Sequence, residues 1–377
     1  MERIEVCDKC GVPLMVSGEL SWDDNGVISS KSSPRHRWVF FESENIDPLF
    51  RGLEELIGVP IEHIVIESRR REARKYLERV FPPEVREILK YKGEASAGGG
   101  EPLTQEEKET KKATAKAVTV SVHDVARIFG YGDLVPGELW EQDHDFPWRS
   151  TLVGHPYSLL FNTAESLGSC EAFEGIDLWV EYEEVGEDKY RFTSYVAEHP
   201  IELKGRLKRK RYDFKPGEIH YECCPQCGVP NHIGRYIWDL DNGTITDPDT
   251  GRRMAIFGPM SLDSILDDLE DELGEAIPEL VIESGRRYIR SAWSTDEWRR
   301  RAPDFQRMIA LRGLGNLTLF EGDREHLTLI LQNACLHLSM VGIIQALVEM
   351  AYRVDSSANE WDLSEDGDLT VTIKIQR

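Results

Sequence analysis

Cys7-Asp8-Lys9-Cys10-Gly11-Val12-Pro13 is answered later in the chain by Cys224-Pro225-Gln226-Cys227-Gly228-Val229-Pro230. The correspondence extends outward in the same order. Trp22 returns as Trp238, Asn25-Gly26 as Asn242-Gly243, Val65-Ile66-Glu67-Ser68 as Val281-Ile282-Glu283-Ser284, and Arg70-Arg71 as Arg286-Arg287. Self-similarity at a nearly constant offset reads as a tandem duplication, and it decides the architecture before any local propensity does. The joint between the copies is the basic run Leu203 to Arg211, leading to Pro216-Gly217. Blocks of like charge ordinarily sit in water, so this run reads as a solvated linker.

Within each copy the cysteine pair is followed by short alternating segments around an Asn-Gly turn, Leu20 to Ile28 and Tyr236 to Ile245. Asn-Gly accepts positive φ at both central positions and is a strong hairpin signal. A third strand is expected at Arg37 to Phe41 and at Arg253 to Phe257, giving a small antiparallel sheet with the cysteine knuckle at its edge. Amphipathic helices follow at Asp47 to Ile57 and Asp263 to Leu273, with Leu49, Leu53 and Ile57 matched by Ile265, Leu269 and Leu273 on one face. Ile64-Val65-Ile66 and Leu280-Val281-Ile282 are expected to be strands, with Ser68 and Ser284 as N-caps of the next helices. Glu67 and Glu283 read as carboxylates favoured beside a helix start rather than as catalytic acids.

The first copy carries an extra stretch, Gly93 to Ala117, rich in Gly, Lys and Glu, which is expected to be mobile. The repeat resumes at Gly130-Tyr131-Gly132 against Gly313-Leu314-Gly315. Next come His155 and Asn162 against His326 and Asn333, where the asparagines are expected to cap helices at Thr163 to Phe173 and Ala334 to Met350. Each copy closes with two strands, Leu178 to Val185 with Tyr190 to Val196, and Ala351 to Val354 with Leu369 to Ile375. The back of each copy is thus a β-β-α-β-β unit. The fold class is α+β, with four expected domains: a knuckle sheet and helix at 1–60, an α+β domain at 61–212 with the 93–117 insertion, a second knuckle sheet and helix at 218–275, and a second α+β domain at 276–377.

Cys-x-x-Cys-Gly lets two thiolates face one metal while glycine takes the backbone through a turn other residues resist. Each copy supplies two thiolates, and a closed zinc site wants four ligands. Three completions are open: one shared Cys7/Cys10/Cys224/Cys227 site, two sites that recruit local residues such as His36 or His232, or metal-free dithiols with Cys223 as a spare thiol. The shared site is favoured because the local histidines do not align between copies. Zinc is the expected ion, and iron in a thiolate site is equally compatible with the ligand type.

The Gly-x-Gly pairs are not dinucleotide fingerprints, for the third glycine is missing and strand-like sequence follows. His155 and Asn162 lie an odd number of residues apart, so on one strand they would face opposite sides and form no dyad. Cys170, Cys335 and His337 have no counterparts in the other copy and read as packing or ligand-pocket residues, with packing preferred. The formal charge of −23 argues against nucleic acid and against anionic lipid. No stretch approaches a membrane span, and Met1-Glu2-Arg3-Ile4-Glu5 lacks the layout of a signal peptide. Seven cysteines, four of them in two C-x-x-C pairs, suit a reducing compartment, and a cytoplasmic location is expected.

The order in the back half resembles the vinyl-reductase-type ligand-binding domain: Gly-x-Gly, a strand pair, the apolar helix with Leu338-Ser339-Met340-Val341-Gly342-Ile343-Ile344, and a last strand after Gly367-Asp368. The knuckle is similar to that of a zinc ribbon. The family's terminal cysteines are replaced here by Leu369-Thr370-Val371-Thr372. By this resemblance Asn333, Cys335, His337 and Gly342 would lie nearest a ligand pocket. Leu336 to Leu347 holds almost no charge, whereas Glu165, Glu171 and Glu174 mark its counterpart. The expected protein is therefore a non-catalytic, zinc-binding sensor or accessory protein that takes a small apolar or aromatic ligand, or a partner protein. The alternative is an enzyme of an anaerobic or cofactor pathway that uses the C-x-x-C pairs or a pocket between the copies.

Overall fold

The computed structural model describes residues 4–92, 104–142, 144–203, 213–323 and 325–375. The chain is mixed α and β with antiparallel sheets, in two compact units. The first unit comprises Met1–Ile4, Glu62–Leu207 and Trp238–Ile245; the second comprises Glu5–Ile61, Lys208–Ile237 and Thr246–Arg377.

The chain opens with a short helix, α1 (Leu14–Glu19), then β1 (Leu20–Trp22), β2 (Ile28–Ser30), β3 (Arg37–Glu42) and the amphipathic α2 (Ile46–Ile57). The first unit's main run is α3 (Glu62–Val80), α4 (Pro83–Leu89), α5 (Gln105–Phe129), β4 (Asp133–Pro136), β5 (Ser150–Gly154), α6 (Leu159–Glu174), β6 (Leu178–Gly186) and β7 (Lys189–Val196). A second hairpin follows, β8 (Ile237–Asp239) and β9 (Thr244–Thr246), and then β10 (Arg253–Phe257), α7 (Met260–Leu273) and α8 (Ile277–Ala292). The chain continues through α9 (Thr295–Arg301), α10 (Phe305–Leu311), β11 (Asn316–Gly322), β12 (His326–Gln332), α11 (His337–Tyr352), β13 (Ser357–Leu363) and β14 (Leu369–Ile375).

Each unit holds a four-stranded antiparallel sheet, ordered β4-β5-β7-β6 in the first and β11-β12-β14-β13 in the second. In both, a strand pair leads into a helix (α6 or α11) and a second pair follows, the expected β-β-α-β-β succession. Alternation along β14, where Leu369, Val371 and Ile373 are fully buried, places one face on the core. In the second unit β1, β2, β3 and β10 lie in that order in a sheet, with Ala255 opposite Phe41 and Ile256 opposite Phe40.

The Asn-Gly hairpins explain why the units interleave the sequence. In the second unit Gly315 donates its amide to the Gly26 carbonyl at 3.1 Å, and a Cβ on Gly26 would stand 2.2 Å from the Gly315 oxygen. In the first unit Gly132 donates to Gly243 at 2.9 Å, and a Cβ on Gly243 would stand 2.1 Å from the Gly132 oxygen. Both turn glycines have positive φ, so two constraints fall on one residue. Each hairpin thus packs on a Gly-x-Gly turn from the other half of the sequence. The compact units therefore do not follow the four consecutive domains that the sequence suggested.

Several local expectations are corrected. Ile64-Val65-Ile66 and Leu280-Val281-Ile282 lie in helices α3 and α8, not strands. A short apolar run does not distinguish a buried strand from a helix buried on a broad face, and the length of the element decides. Ser68 and Ser284 are accordingly mid-helix, and the Ser284 hydroxyl donates to the Leu49 carbonyl at 2.8 Å instead of capping. Residues 104–117 of the expected mobile insertion begin helix α5, started by a Thr104–Glu107 capping box. Ala115 and Lys111 of that stretch are buried, and the Lys111 ammonium sits 4.1 Å from the Phe146 ring centre. Residues 93–103 lie outside the described residues. The segment at Glu138 to Trp140 is a 3-10 turn rather than a strand, and the third strand of the last unit is β13, not 351–354. Ser158, not Asn162, caps α6, and Leu336 precedes α11 without a side-chain cap.

Gly26→Ala should therefore cost more than the roughly 1–3 kcal/mol of a strained left-handed residue, because it also meets backbone. Gly58→Ala, at φ +80° but with no atom within 4 Å, should show the φ cost alone. Urea unfolding of the two full-length variants checks the difference, and equal losses would contradict the packing role of Gly26.

Candidate metal centre

The two knuckles are built alike, and both belong to the second unit. Cys7 donates its amide to the Val12 carbonyl at 2.9 Å, and Gly11, at φ +74°, turns back to donate to the Cys7 carbonyl at 2.8 Å. Cys224 donates to Val229 at 2.8 Å, and Gly228, at φ +78°, donates to the Cys224 carbonyl at 2.9 Å. Isolated bridges Val6–Pro13 and Cys223–Pro230 close the two loops. The left-handed glycine after each second cysteine lets both thiols of a pair point to one side.

The knuckles face each other. Cys7 Sγ lies 3.8 Å from Cys224 Sγ, Cys10 Sγ lies 3.5 Å from Cys227 Sγ, and all four sulfurs lie within 4.8 Å of one another. These separations are far beyond a disulfide, whose sulfurs sit about 2.05 Å apart. They match the edge of a tetrahedron with metal–sulfur arms of about 2.3 Å, which is about 3.8 Å. Cys7 and Cys224 are buried, while Cys10 and Cys227 are half-buried. The donor set, its spacing and its burial fit a single metal ion held by four thiolates, with no ligand position left over. Neither His36, edge-on to Trp38, nor His232 belongs to this set. Cys223 is exposed, its thiol against the Tyr221 carbonyl at 3.4 Å.

The protons are shared unevenly. Amide N–H groups of Cys227 and then Gln226 point at the Cys224 sulfur and bring its thiol down to about 6. Burial pushes Cys10 and Cys227 up, so crowding four thiols favours one thiolate and keeps neighbours protonated. One further residue shapes the set and was not read from the sequence. A Cβ on Gly234 would meet Cys10 Cβ at 2.9 Å and lie 3.7 Å from its sulfur. The aligned glycine of the first copy, Gly18, faces open space, so no pattern of the repeat marks Gly234.

The four residues expected near a ligand pocket each have contacts of their own. Asn333, at φ +51°, donates through its amide to the carbonyls of Asn25 at 3.2 Å and Lys215 at 3.0 Å, and accepts from the Lys215 amide at 2.8 Å. Cys335 is buried against the Gly313 carbonyl at 3.6 Å, and burial raises its thiol to about 11. His337 opens α11, with its ring 5.5 Å from that of Trp361. Gly342 is the close-approach point of two helices, for a Cβ there would lie 2.5 Å from the Ile282 oxygen of α8. The cavity beside α11 is lined by other residues, among them Phe41, Leu49, Tyr288, Ser339 and Ile343. It holds about 20 Å³, room for little more than a water. The apolar stretch of α11 serves as core there.

Metal binding at this set must displace the protons on at least Cys10 and Cys227, so apparent affinity should rise with pH above the Cys224 value by at least about a hundredfold per unit, each displaced proton contributing tenfold. Chelator competition between pH 6.5 and 8 checks the slope, and a flat profile would show that the thiols are already ionised. Compared with protein-family models, curated proteins and solved structures, the chain matches none.

Proposed function

We propose that the chain is a tandem duplication stapled by one structural zinc ion, and that it works as a non-catalytic sensor or accessory protein through a partner. The closed set Cys7, Cys10, Cys224 and Cys227 carries this reading: four thiolates at tetrahedral spacing leave no open position for a substrate or an activated water. Iron would accept the same ligands, and a closed zinc site is the commoner staple.

Support for the duplication comes from matched sheet orders and from a charged cluster present twice. On α3 and α6, Arg70 binds Glu67 of its own helix at 2.5 Å and Glu171 across the helix pair at 2.5 Å. On α8 and α11, Arg286 binds Glu283 at 2.7 Å and Glu349 at 2.8 Å. Glu67 and Glu283 are thus neither helix-start carboxylates nor free acids: each is neutralised one turn along by arginine. Of the two occupants expected for the back half, a partner protein is favoured over a small apolar ligand, since the cavity beside α11 holds about 20 Å³. Among the described residues no helix is long and apolar enough to cross a membrane.

One zinc per chain is the expected content, and Cys7→Ser or Cys224→Ser alone should strip it and lower the melting temperature. Two ions per chain, or a cobalt-substituted site that takes up cyanide or azide, would overturn the closed staple. Native mass spectrometry of untagged protein reads the rest: a retained mass from a small molecule, in place of a protein partner, would reverse the choice of occupant.

A further inference from the structure

The duplicated charge cluster is not balanced in the same way in the two units. In the second, Glu283, Glu349 and Asp355 face Arg286, Arg287 and Arg290, with Arg287 on Glu283 at 2.6 Å and Arg290 on Glu349 at 2.7 Å. In the first, Arg71, the counterpart of Arg287, turns away to donate to the Leu203 carbonyl. Glu67, Glu171 and Asp177 are left with Arg70 and Arg74, and Arg74 is shared further with Glu78 at 3.1 Å. Four carboxylates thus meet two guanidiniums. Glu67 and Glu171 are almost wholly buried, where uncompensated charge is most costly.

Into this deficit projects His199, from the segment after β7. Its side chain is only 10 % exposed, Nδ1 lies 3.4 Å from Glu67 Oε2, and neither ring nitrogen makes a hydrogen bond of acceptable geometry. Nε2 lies 2.8 Å from Glu171 Oε1 and 3.9 Å from Asp177 Oδ1, and the three ligand atoms all fall within 4.8 Å of one another. Ligands on a metal with bonds of about 2.1 Å stand about 3 Å apart when adjacent and about 4.2 Å when opposite, within a few tenths of an ångström of the two His199 spacings. Arg70 and Arg74 occupy the other oxygen of Glu171, Oε2, at 2.5 and 3.5 Å, Oε1 accepts the Leu178 amide at 2.9 Å and keeps a second lone pair, and Arg74 holds Asp177 Oδ1 at 2.9 Å. Asp177 is 60 % exposed, so the remaining positions open to water.

We propose that Glu171, Asp177 and His199 form a second cation site, in the first unit, for a divalent transition metal with mixed nitrogen and oxygen ligands. A charge of two offsets the deficit left by the diverted Arg71, and the buried imidazole, set between Glu67 and Glu171 without a well-aligned hydrogen bond, gains a ligand bond. One imidazole and two carboxylates suit manganese through zinc rather than calcium. This site is chemically independent of the thiolate set.

The test is to add Co²⁺ to full-length protein whose thiolate site is already filled with zinc. The expected result is one further equivalent bound, with weak visible bands, zinc content unchanged, and no sulfur-to-cobalt charge-transfer band. His199→Ala should abolish this uptake, and Asp177→Asn, at an exposed position where folding is not at risk, should weaken it at least tenfold. Failure of the zinc-filled protein to take up cobalt would overturn the proposal. Equal uptake by His199→Ala would overturn it as well. A charge-transfer band would report only on the cysteines, so the two sites are separable.

Discussion

The convergence of four thiols is the constraint on which the second unit depends. Cys7 and Cys10 sit near its first segment, Cys224 and Cys227 in its middle one, and the sulfurs of the two meet at 3.5 and 3.8 Å. Four thiols packed this closely, two of them buried, would be poorly solvated and would share protons awkwardly without a common ion. The binding free energy of an ion held at such a set would be folding free energy, and it would act on segments separated in sequence by the whole of the first unit's main run. Glycines make the approach possible: Gly11 and Gly228 turn each knuckle, and Gly234 yields the space that Cys10 fills.

A different principle organises the helix pairs. Gly342 lets α11 approach α8 to backbone contact, and Gly168 does the same for α6, where a Cβ would lie 2.6 Å from the Arg70 oxygen. Around these close contacts, arginines of one helix bind buried glutamates of the other. Removing one partner of such a buried pair costs about 3–5 kcal/mol, whereas an apolar pair of the same volume can be as stable. The networks therefore fix which faces meet more than they add to stability.

Much of this was legible in the sequence. The paired C-x-x-C-Gly motifs gave the ligand set because they recur while neighbouring histidines do not, and Asn-Gly with alternating flanks gave the hairpins. The apolar runs at Ile64 and Leu280 misled because three buried residues in a row fit a strand as well as the broad buried face of a helix. The evidence against a strand was present: Glu67 with Arg70 and Glu283 with Arg286, each three apart, are spaced to meet on a helix and not on a pleat. The Lys- and Glu-rich stretch after residue 103 was read as mobile from composition, although Thr104 and Glu107 form a capping box and Ala115 and Val118 are apolar enough to dock. His199 and Gly234 were invisible, since their roles arise only from what folds against them: Gly234 meets Cys10, whereas the aligned Gly18 faces open space.

The interleaving of the units has a consequence for the protein's birth on the ribosome. Residues 5–61 emerge first but belong with 246–377, and Gly26 must wait for Gly315. At about 5–20 residues per second, translating the stretch between them takes roughly 15–60 s. During that interval β1 to β3 have an unpaired edge, and the apolar face of α2, with Ile46, Leu49, Phe50 and Leu53, has no α8 to cover it. The first cysteine pair meanwhile stands as a free dithiol. Until its second half is made, the chain carries that apolar face and those two thiols uncovered.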